Sequence, residues 1–405
     1  MSEFKDIKRV LIIKLRHIGD VLLAVPAIRA VKDSFPGAEV TALVNSGTEE
    51  MLALNPAVDE VLTFDRSLKD LSLTGRAIGE LKFLNIVRKK GFDMTIDLTG
   101  GDRPAFIGLT TGAKYRLGYN PEGSGFKGKK LLYTHLGKKP ERGTHAVLKD
   151  LGLLRQFGID AKNLSVDIYS TPQDDARVKT LLGKNGFSGG KLAHVHPTSR
   201  WFFKCWTDDG MAHVMDKLAG AGFTVAVTSG PEEREIKKTQ AVISKMKTKP
   251  IDLSGRLLLK EMVSLSKMSS IFFGVDSAPM HIASACGVKV VALFGPSGAF
   301  DWGPWDNKAA GGLDNASPYP AKSGLQRFGQ NIVIQTNWDC VPCGKDGCSG
   351  SKKSDCLDAI KPEYVWSVLQ DTLPEIYQSQ SSGTLATSGR LTGEPDTSSS
   401  AQGGA

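Results

Sequence analysis

Ile271-Phe-Phe-Gly-Val-Asp-Ser-Ala-Pro-Met-His-Ile-Ala-Ser-Ala-Cys286 decides how this chain folds. Residues 271–274 read as a buried strand, because a short apolar run bounded by turn residues fits a sheet covered on both faces. Residues 280–286 read as a helix that stops at Gly287. Between them, Pro279 suits a first helical turn, where a missing N–H leaves nothing unpaired. A strand that runs through Asp276 and Ser277 into a helix start presents free backbone N–H groups at the carboxyl edge of a sheet. That is an anion site. A capped core helix with His281 buried in it is the plain alternative.

Outward from this segment, apolar runs alternate with helical patterns. Strands are expected at 191–195, 223–227, 250–253 and 288–294, with helices at 208–221, 232–247 and 259–267. An earlier series has a strand at 9–15, a turn at His17-Ile-Gly-Asp20, a helix at 21–35 ended by Pro36-Gly37, and strands at 39–44 and 94–98. Strands alternating with helices predict parallel βαβ units. Two such series predict an α/β chain of two Rossmann-like domains facing a central cleft. The expected division is 1–171, 172–360, a C-terminal helix at 361–377, and a Ser-, Gly- and Thr-rich tail at 378–405 too poor in apolar residues to order.

The chain has 405 residues, 40% of them hydrophobic and 23% charged, which suffices for two globular domains. The net charge of +8 favours acidic partners, either phosphates or an anionic membrane surface. Nucleic acid has only this charge behind it and is not expected. Lys14 interrupts the first apolar run, so no signal peptide is expected, and no uncharged apolar stretch is long enough to span a membrane. A cytoplasmic protein follows, one that would touch a membrane only from the side. The six cysteines are too few for a disulfide framework in so long a chain. Cys340, Cys343, Cys348 and Cys356 form C-x2-C-x4-C-x7-C, which reads either as a metal set or as free thiols.

Three further motifs carry chemistry. In Lys14-Leu-Arg-His-Ile-Gly-Asp20, Gly19 permits a tight turn and Asp20 falls at a helix start. It is either a cap or a general base facing the cleft. His196-Pro-Thr-Ser-Arg-Trp-Phe-Phe-Lys-Cys-Trp206 sets Thr198, Ser199, Arg200 and Lys204 in one loop, and all four donate to phosphate oxygens. Ser229-Gly-Pro-Glu-Glu233 ends a strand where a carboxylate meets a ribose diol, so Glu232 and Glu233 are candidates. No Asp-x-Asp occurs, so a bound diphosphate would be met by Lys204, Arg200 and the helix start, with no metal. No G-x-G-x-x-G follows the first strand, which disfavours a nicotinamide oxidoreductase.

Four pieces in order resemble glycosyltransferase family 9, the ADP-heptose:lipopolysaccharide heptosyltransferases, and within it the heptosyltransferase III subgroup. They are residues 12–23, 197–206, 274–283 and 293–296. The resemblance spans roughly residues 7–375. It implies a GT-B fold, donor binding in the C-terminal half, acceptor binding in the N-terminal half, and inverting transfer from ADP-heptose to the lipopolysaccharide inner core with no cofactor. Asp20 matches the catalytic base and Lys204 the diphosphate lysine. Thr198 and Ser199 match phosphate contacts, and Glu233, with Glu232 as its rival, the ribose carboxylate. Leu257 falls at an adenine contact. Asp276, Ser277, Ala278 and His281 match the phosphate helix start. Many family members have Gly where this chain has Ala278, a departure that suits the heptosyltransferase III subgroup.

Residues 114–142 hold eight basic residues against two acids. With Lys14 and Arg16, the residues Lys127, Lys129 and Lys130 are therefore the acceptor-side candidates, meeting a phosphorylated inner-core glycolipid at the inner membrane surface. Two other readings stay open: a family 9 enzyme using another nucleotide sugar or glycan acceptor, and a non-catalytic nucleotide-sugar binding protein.

Overall fold

Val10 to Ile13 are fully buried, so the strand they form must sit inside a sheet covered on both sides. A computed structural model describes residues 4–313 and 317–384. In its first half β1 (Arg9–Lys14), β2 (Glu39–Asn45), β3 (Glu60–Phe64), β4 (Met94–Asp97), β5 (Tyr115–Tyr119) and β6 (His135–Gly137) form one sheet in the order β3-β2-β1-β4-β5-β6. Every pairing in it is parallel. Helices α1 (Ile18–Leu23), α2 (Val25–Ser34), α3 (Leu73–Lys89), α4 (Asp102–Thr110) and α5 (Ala146–Arg155) connect and cover it.

The second half begins with α6 (Pro172–Lys184), whose capping residue Thr171 closes a reciprocal pair of hydrogen bonds with Asp174. Strands β7 (Leu192–His196), β8 (Thr224–Val227), β9 (Ile251–Asp252), β10 (Ile271–Val275), β11 (Lys289–Leu293), β12 (Gln326–Phe328) and β13 (Asn331–Ile334) form the second sheet. Its order is β12-β13-β11-β10-β7-β8-β9, and only the edge strand β12 runs antiparallel. Its helices are α7 (Asp208–Gly220), α8 (Glu233–Ile243), α9 (Leu259–Met268), α10 (Ala278–Ala285), the short α11 (Ala299–Trp302) and α12 (Asp355–Asp358), and α13 (Pro362–Thr384). α6 packs on α9, and α13 on α7. The rest of the expected tail, 385–405, lies outside the described residues.

In each sheet the strand order reverses beside the first strand, between β1 and β4 and between β7 and β10. A doubly wound sheet binds ligands at that switch point. The two Rossmann-like halves of a GT-B fold are thus both present, with α1 packed against α10 and a continuous core cluster running from Val21 to Met280.

One local expectation needs correction. The helix expected at 21–35 is two helices broken at Ala24, and the first begins at Ile18 with His17 as its cap. Pro26 in the first turn of α2 has no N–H to donate back to Leu22, so the ladder must restart there. Asp20 is therefore not a cap; it lies inside the first turn of α1.

Candidate active site

At the second switch point, β7 delivers Thr198 and Ser199, both buried, and the Thr198 hydroxyl has no partner. Beside it β10 delivers Asp276 and then Ser277, which caps α10. The Ser277 hydroxyl turns to the Val275 carbonyl (3.1 Å), leaving that helix start without a side-chain cap. Lys204 Nζ sits 2.6 Å from Asp276 Oδ2 and 5.3 Å from the centre of the Trp201 ring. Burial alone would push the Asp276 carboxyl up, but the charge and hydrogen bond of Lys204 outweigh it and hold the carboxyl below its ordinary value. His281 is buried and its Nδ1 is unpartnered. Burial lowers its pKa to about 4 against the pull of Asp276 and Asp20, so the ring is neutral at pH 7. An ammonium, an uncapped helix start, an unpaired hydroxyl and a neutral imidazole thus collect at one sheet edge, ready for an oxyanion.

The first half faces this edge through α1. A Cβ on Gly19 would lie 2.9 Å from His281 Cδ2, so only glycine lets the two helices approach this closely. Asp20, one residue on, is half-buried and close enough to His281, His17 and Asp150 to shift all three. The His17 ring meets Trp201 edge-on at 4.9 Å, which joins the two loops across the cleft. Burial is the main cause of the lowered His17 pKa, and Arg66, Arg200 and Arg16 add to it, so three guanidinium groups surround this junction.

The other candidates divide. Lys14 is sealed: its Nζ bonds both Asp150 oxygens (2.8 and 2.6 Å) and the Leu98 carbonyl (3.2 Å). Lys129 is also buried, bonded to the Gly100 carbonyl at 2.8 Å and paired with Asp102 at 3.2 Å. Neither ammonium faces outward, because each has a long-range oxygen partner that the sequence did not show. Arg16, Lys127 and Lys130 are exposed, with Arg16 holding the Thr99 carbonyl at 2.8 Å.

At the end of β8, Glu232 lies 3.8 Å from Arg200 and 2.8 Å from Arg234. Glu233 instead points to solvent and pairs with Lys237 at 2.6 Å along α8. Glu232 is thus the one beside Arg200 in the 197–206 loop. Sequence reasoning missed Glu235, which is buried against Gly230 with its carboxyl pushed up by burial and by Glu232. Its one-turn spacing from Glu232 was the available signal. Leu257 is half-buried in the loop before α9 and packs on the Val178–Leu253 cluster. Beside Lys204 a cavity of about 860 Å³ opens between the halves, with Arg142, Lys149, Lys322, Lys345, Trp302 and Tyr319 in its walls.

All four C-terminal cysteines are free thiols. Cys340 and Cys343 are exposed, and Cys356 is buried with its pKa pushed up to about 11, first by burial and then by the three neighbouring thiols. Among the described residues, no group of three His, Cys, Asp or Glu side chains is placed to hold a metal.

Comparison with known proteins bears on this geometry. Residues 81–330 match the profile of Glycosyltransferase family 9 (heptosyltransferase). The lipopolysaccharide heptosyltransferase 3 of Escherichia coli K12 is 29% identical over 296 residues, covering 72% of this chain and 83% of that protein. The crystal structure of a family 9 glycosyl transferase from Veillonella parvula superposes with a TM-score of 0.74 at 22% identity, covering 92% of this chain and 99% of that one. An E. coli heptosyltransferase solved with ADP-2-deoxy-2-fluoro heptose superposes with a TM-score of 0.62 at 17% identity, over 90% and 99% of the two chains.

Proposed function

The chain belongs to glycosyltransferase family 9, the heptosyltransferases, and from that premise we propose that it moves heptose from ADP-heptose to the inner core of lipopolysaccharide, inverting the anomeric centre without a metal. Residues 172–360 hold the donor and residues 1–171 the acceptor. The observation that carries this reading is the approach of α1, through Gly19 and the adjacent Asp20, to His281 and the start of α10, where Lys204 and the unpaired Thr198 hydroxyl collect. The solved relative with a fluorinated ADP-heptose supports the choice of donor.

Asp20 takes the proton of an acceptor hydroxyl, and the freed oxygen attacks the anomeric carbon from the face opposite ADP. As the C–O bond to the diphosphate breaks, its electron pair goes to ADP. Lys204 and the start of α10 meet the growing charge, and the Thr198 and Ser199 hydroxyls hold the phosphate oxygens. A helix start and a lysine do here what a metal held by an Asp-x-Asp pair does elsewhere. Glu232 holds the ribose and Leu257 packs on the adenine. Arg16, Lys127 and Lys130 lie on the acceptor side, and the protein works at the cytoplasmic face of the inner membrane. Among the described residues no helix is long and apolar enough to cross a membrane.

Mass analysis of products made from ADP-heptose and a truncated lipopolysaccharide core, beside parallel reactions with other nucleotide sugars, tests this reading. Addition of one heptose, unaffected by EDTA, is expected. Turnover only with a different sugar nucleotide would replace the donor assignment, and tight ADP binding with no turnover of any donor would make the protein a binder.

A further inference from the structure

Three successive carbonyls just after β4 are each held by a cation. Lys14 Nζ reaches the Leu98 carbonyl at 3.2 Å, Arg16 Nη2 the Thr99 carbonyl at 2.8 Å, and Lys129 Nζ the Gly100 carbonyl at 2.8 Å. Carbonyls of a turn at a sheet edge are ordinarily left to water. The N–H groups of the same turn are taken by one carboxylate. Asp97 Oδ1 accepts from Thr99 N at 2.8 Å and from Gly100 N at 2.9 Å, and Asp97 Oδ2 accepts from the Tyr133 hydroxyl at 2.6 Å. Asp97 is 3% exposed, and burial pushes its carboxyl up against the pull of those three donors and of Lys129. A turn can close without a buried charge; a carboxylate gripped by three donors fixes it more firmly than a neutral cap does. Two glycines make room for the assembly. A Cβ on Gly118 would lie 2.4 Å from the Tyr133 ring, and one on Gly125 would lie 2.1 Å from Oδ1 of Asp102, which pairs with Lys129.

The turn lies where the first sheet should meet a ligand. Asp97 stands opposite Ile13 in the register of β4 on β1, at the carboxyl edge of the sheet and at its switch point. Of the three cations, Lys14 and Lys129 are buried and Arg16 is exposed. The Thr99 carbonyl takes Arg16 Nη2 alone, and among the described residues no acid pairs with this guanidinium, so its other donors are open to a ligand. The same turn also grips the backbone that leads into α1 and Asp20. Leu15 N donates to Thr99 Oγ1 at 2.8 Å, and Thr99 Oγ1 donates to the Ile13 carbonyl at 3.1 Å. From the other side, Asn45 Nδ2 donates to the Arg16 carbonyl at 2.9 Å. Arg16 is thus held at both its backbone and its side chain, and Asp97 is the group that fixes the turn doing so.

We propose that Asp97 is a positioning residue for acceptor binding: by fixing the 98–100 turn it aims the Arg16 guanidinium at the acceptor edge of the cleft. The proposal rests on the transferase reading for its acceptor. A double-substitution cycle on the full chain tests it, with binding of a delipidated core oligosaccharide and of ADP each measured by calorimetry. Arg16→Ala should weaken oligosaccharide binding about tenfold and Asp97→Asn about fivefold, the scale of one charge-assisted hydrogen bond. The two together should cost no more than about twofold beyond Arg16→Ala alone, because both remove the same contact. ADP affinity should stay within about twofold of wild type in all three. Tyr133→Phe keeps Asp97 and frees one of its oxygens, so it serves if Asp97→Asn does not fold; a loss of about threefold, absent when Arg16 is already alanine, is expected. Losses that multiply to about fiftyfold in the double variant would make Asp97 act independently of Arg16 and overturn the proposal. Oligosaccharide binding by Asp97→Asn and Tyr133→Phe equal to wild type overturns it too, and leaves the transferase reading standing. Wild-type protein that binds ADP but no core oligosaccharide removes that reading and this proposal together.

Discussion

Each half of the molecule carries one buried lysine–aspartate pair at the carboxyl edge of its sheet, and the two pairs behave oppositely. Lys14 and Asp150 are 2.6 Å apart with side chains 8% and 6% exposed; Lys204 and Asp276 are also 2.6 Å apart, at 17% and 6%. Asp150 is nevertheless raised to about 6, because burial and the nearby Asp20 charge outweigh Lys14. Asp276 is held down, because Lys204 wins there. The first lysine spends a further hydrogen bond on the Leu98 carbonyl and is closed off. The second borders an 860 Å³ cavity and leans on Trp201. Equal ion-pair distances therefore serve different ends: one pair braces the floor beneath Asp20, and the other is an open cation that a diphosphate can share.

Four substitutions test this contrast between the two pairs. The largest effect is expected outside both pairs, at Asp20. Asp20→Ala should lower kcat by roughly 10²–10⁴-fold while ADP affinity by calorimetry stays within twofold. A near-normal kcat would remove Asp20 from the chemistry. Next, Lys204→Ala should lower kcat/KM by roughly 10²–10³-fold, with Lys204→Arg recovering part of the loss; an unchanged rate would mean that Lys204 only neutralises Asp276.

Third, Lys14→Met strands Asp150 in the core and should destabilise the fold by about 3 kcal/mol in urea unfolding, without raising the acceptor KM. A raised KM with unchanged stability would make Lys14 an acceptor residue after all. The smallest effect concerns pH. Asp150 binds its proton more tightly folded than unfolded, so its contribution to stability is full below about pH 4 and is lost as pH rises through about 6. Asp150→Asn should flatten the stability profile across that window, and a profile identical to wild type would show that Asp150 does not titrate there.

Several features were legible in the sequence. The strand–turn–helix at 271–286 and the lysine loop at 197–206 are short-range patterns, and both appear at the switch point where βαβ logic puts them. The region 45–93 was not legible. β3 is a half-exposed edge strand with no clean alternation, and α3 scatters Leu73, Ile78, Leu81 and Ile86 around the helix instead of along one stripe. The break at Ala24 was readable from Pro26, but the apolar run on both sides of it concealed it.

Local pattern in the chain is enough to set two α/β halves, a helix start after β10, and Asp20, Lys204 and His281 at sheet edges. Packing in three dimensions sets which lysines are open and which are sealed, turns Glu232 rather than Glu233 toward Arg200 in the 197–206 loop, and brings Gly19, with Asp20 beside it, against His281. The reason is one of range. Backbone hydrogen bonding over a few residues sets a turn or a helix start, so a local pattern reveals it. The direction of a long side chain is set by whichever oxygen the fold brings beside it. For Lys14 that oxygen belongs to Asp150, on a helix in another part of the chain.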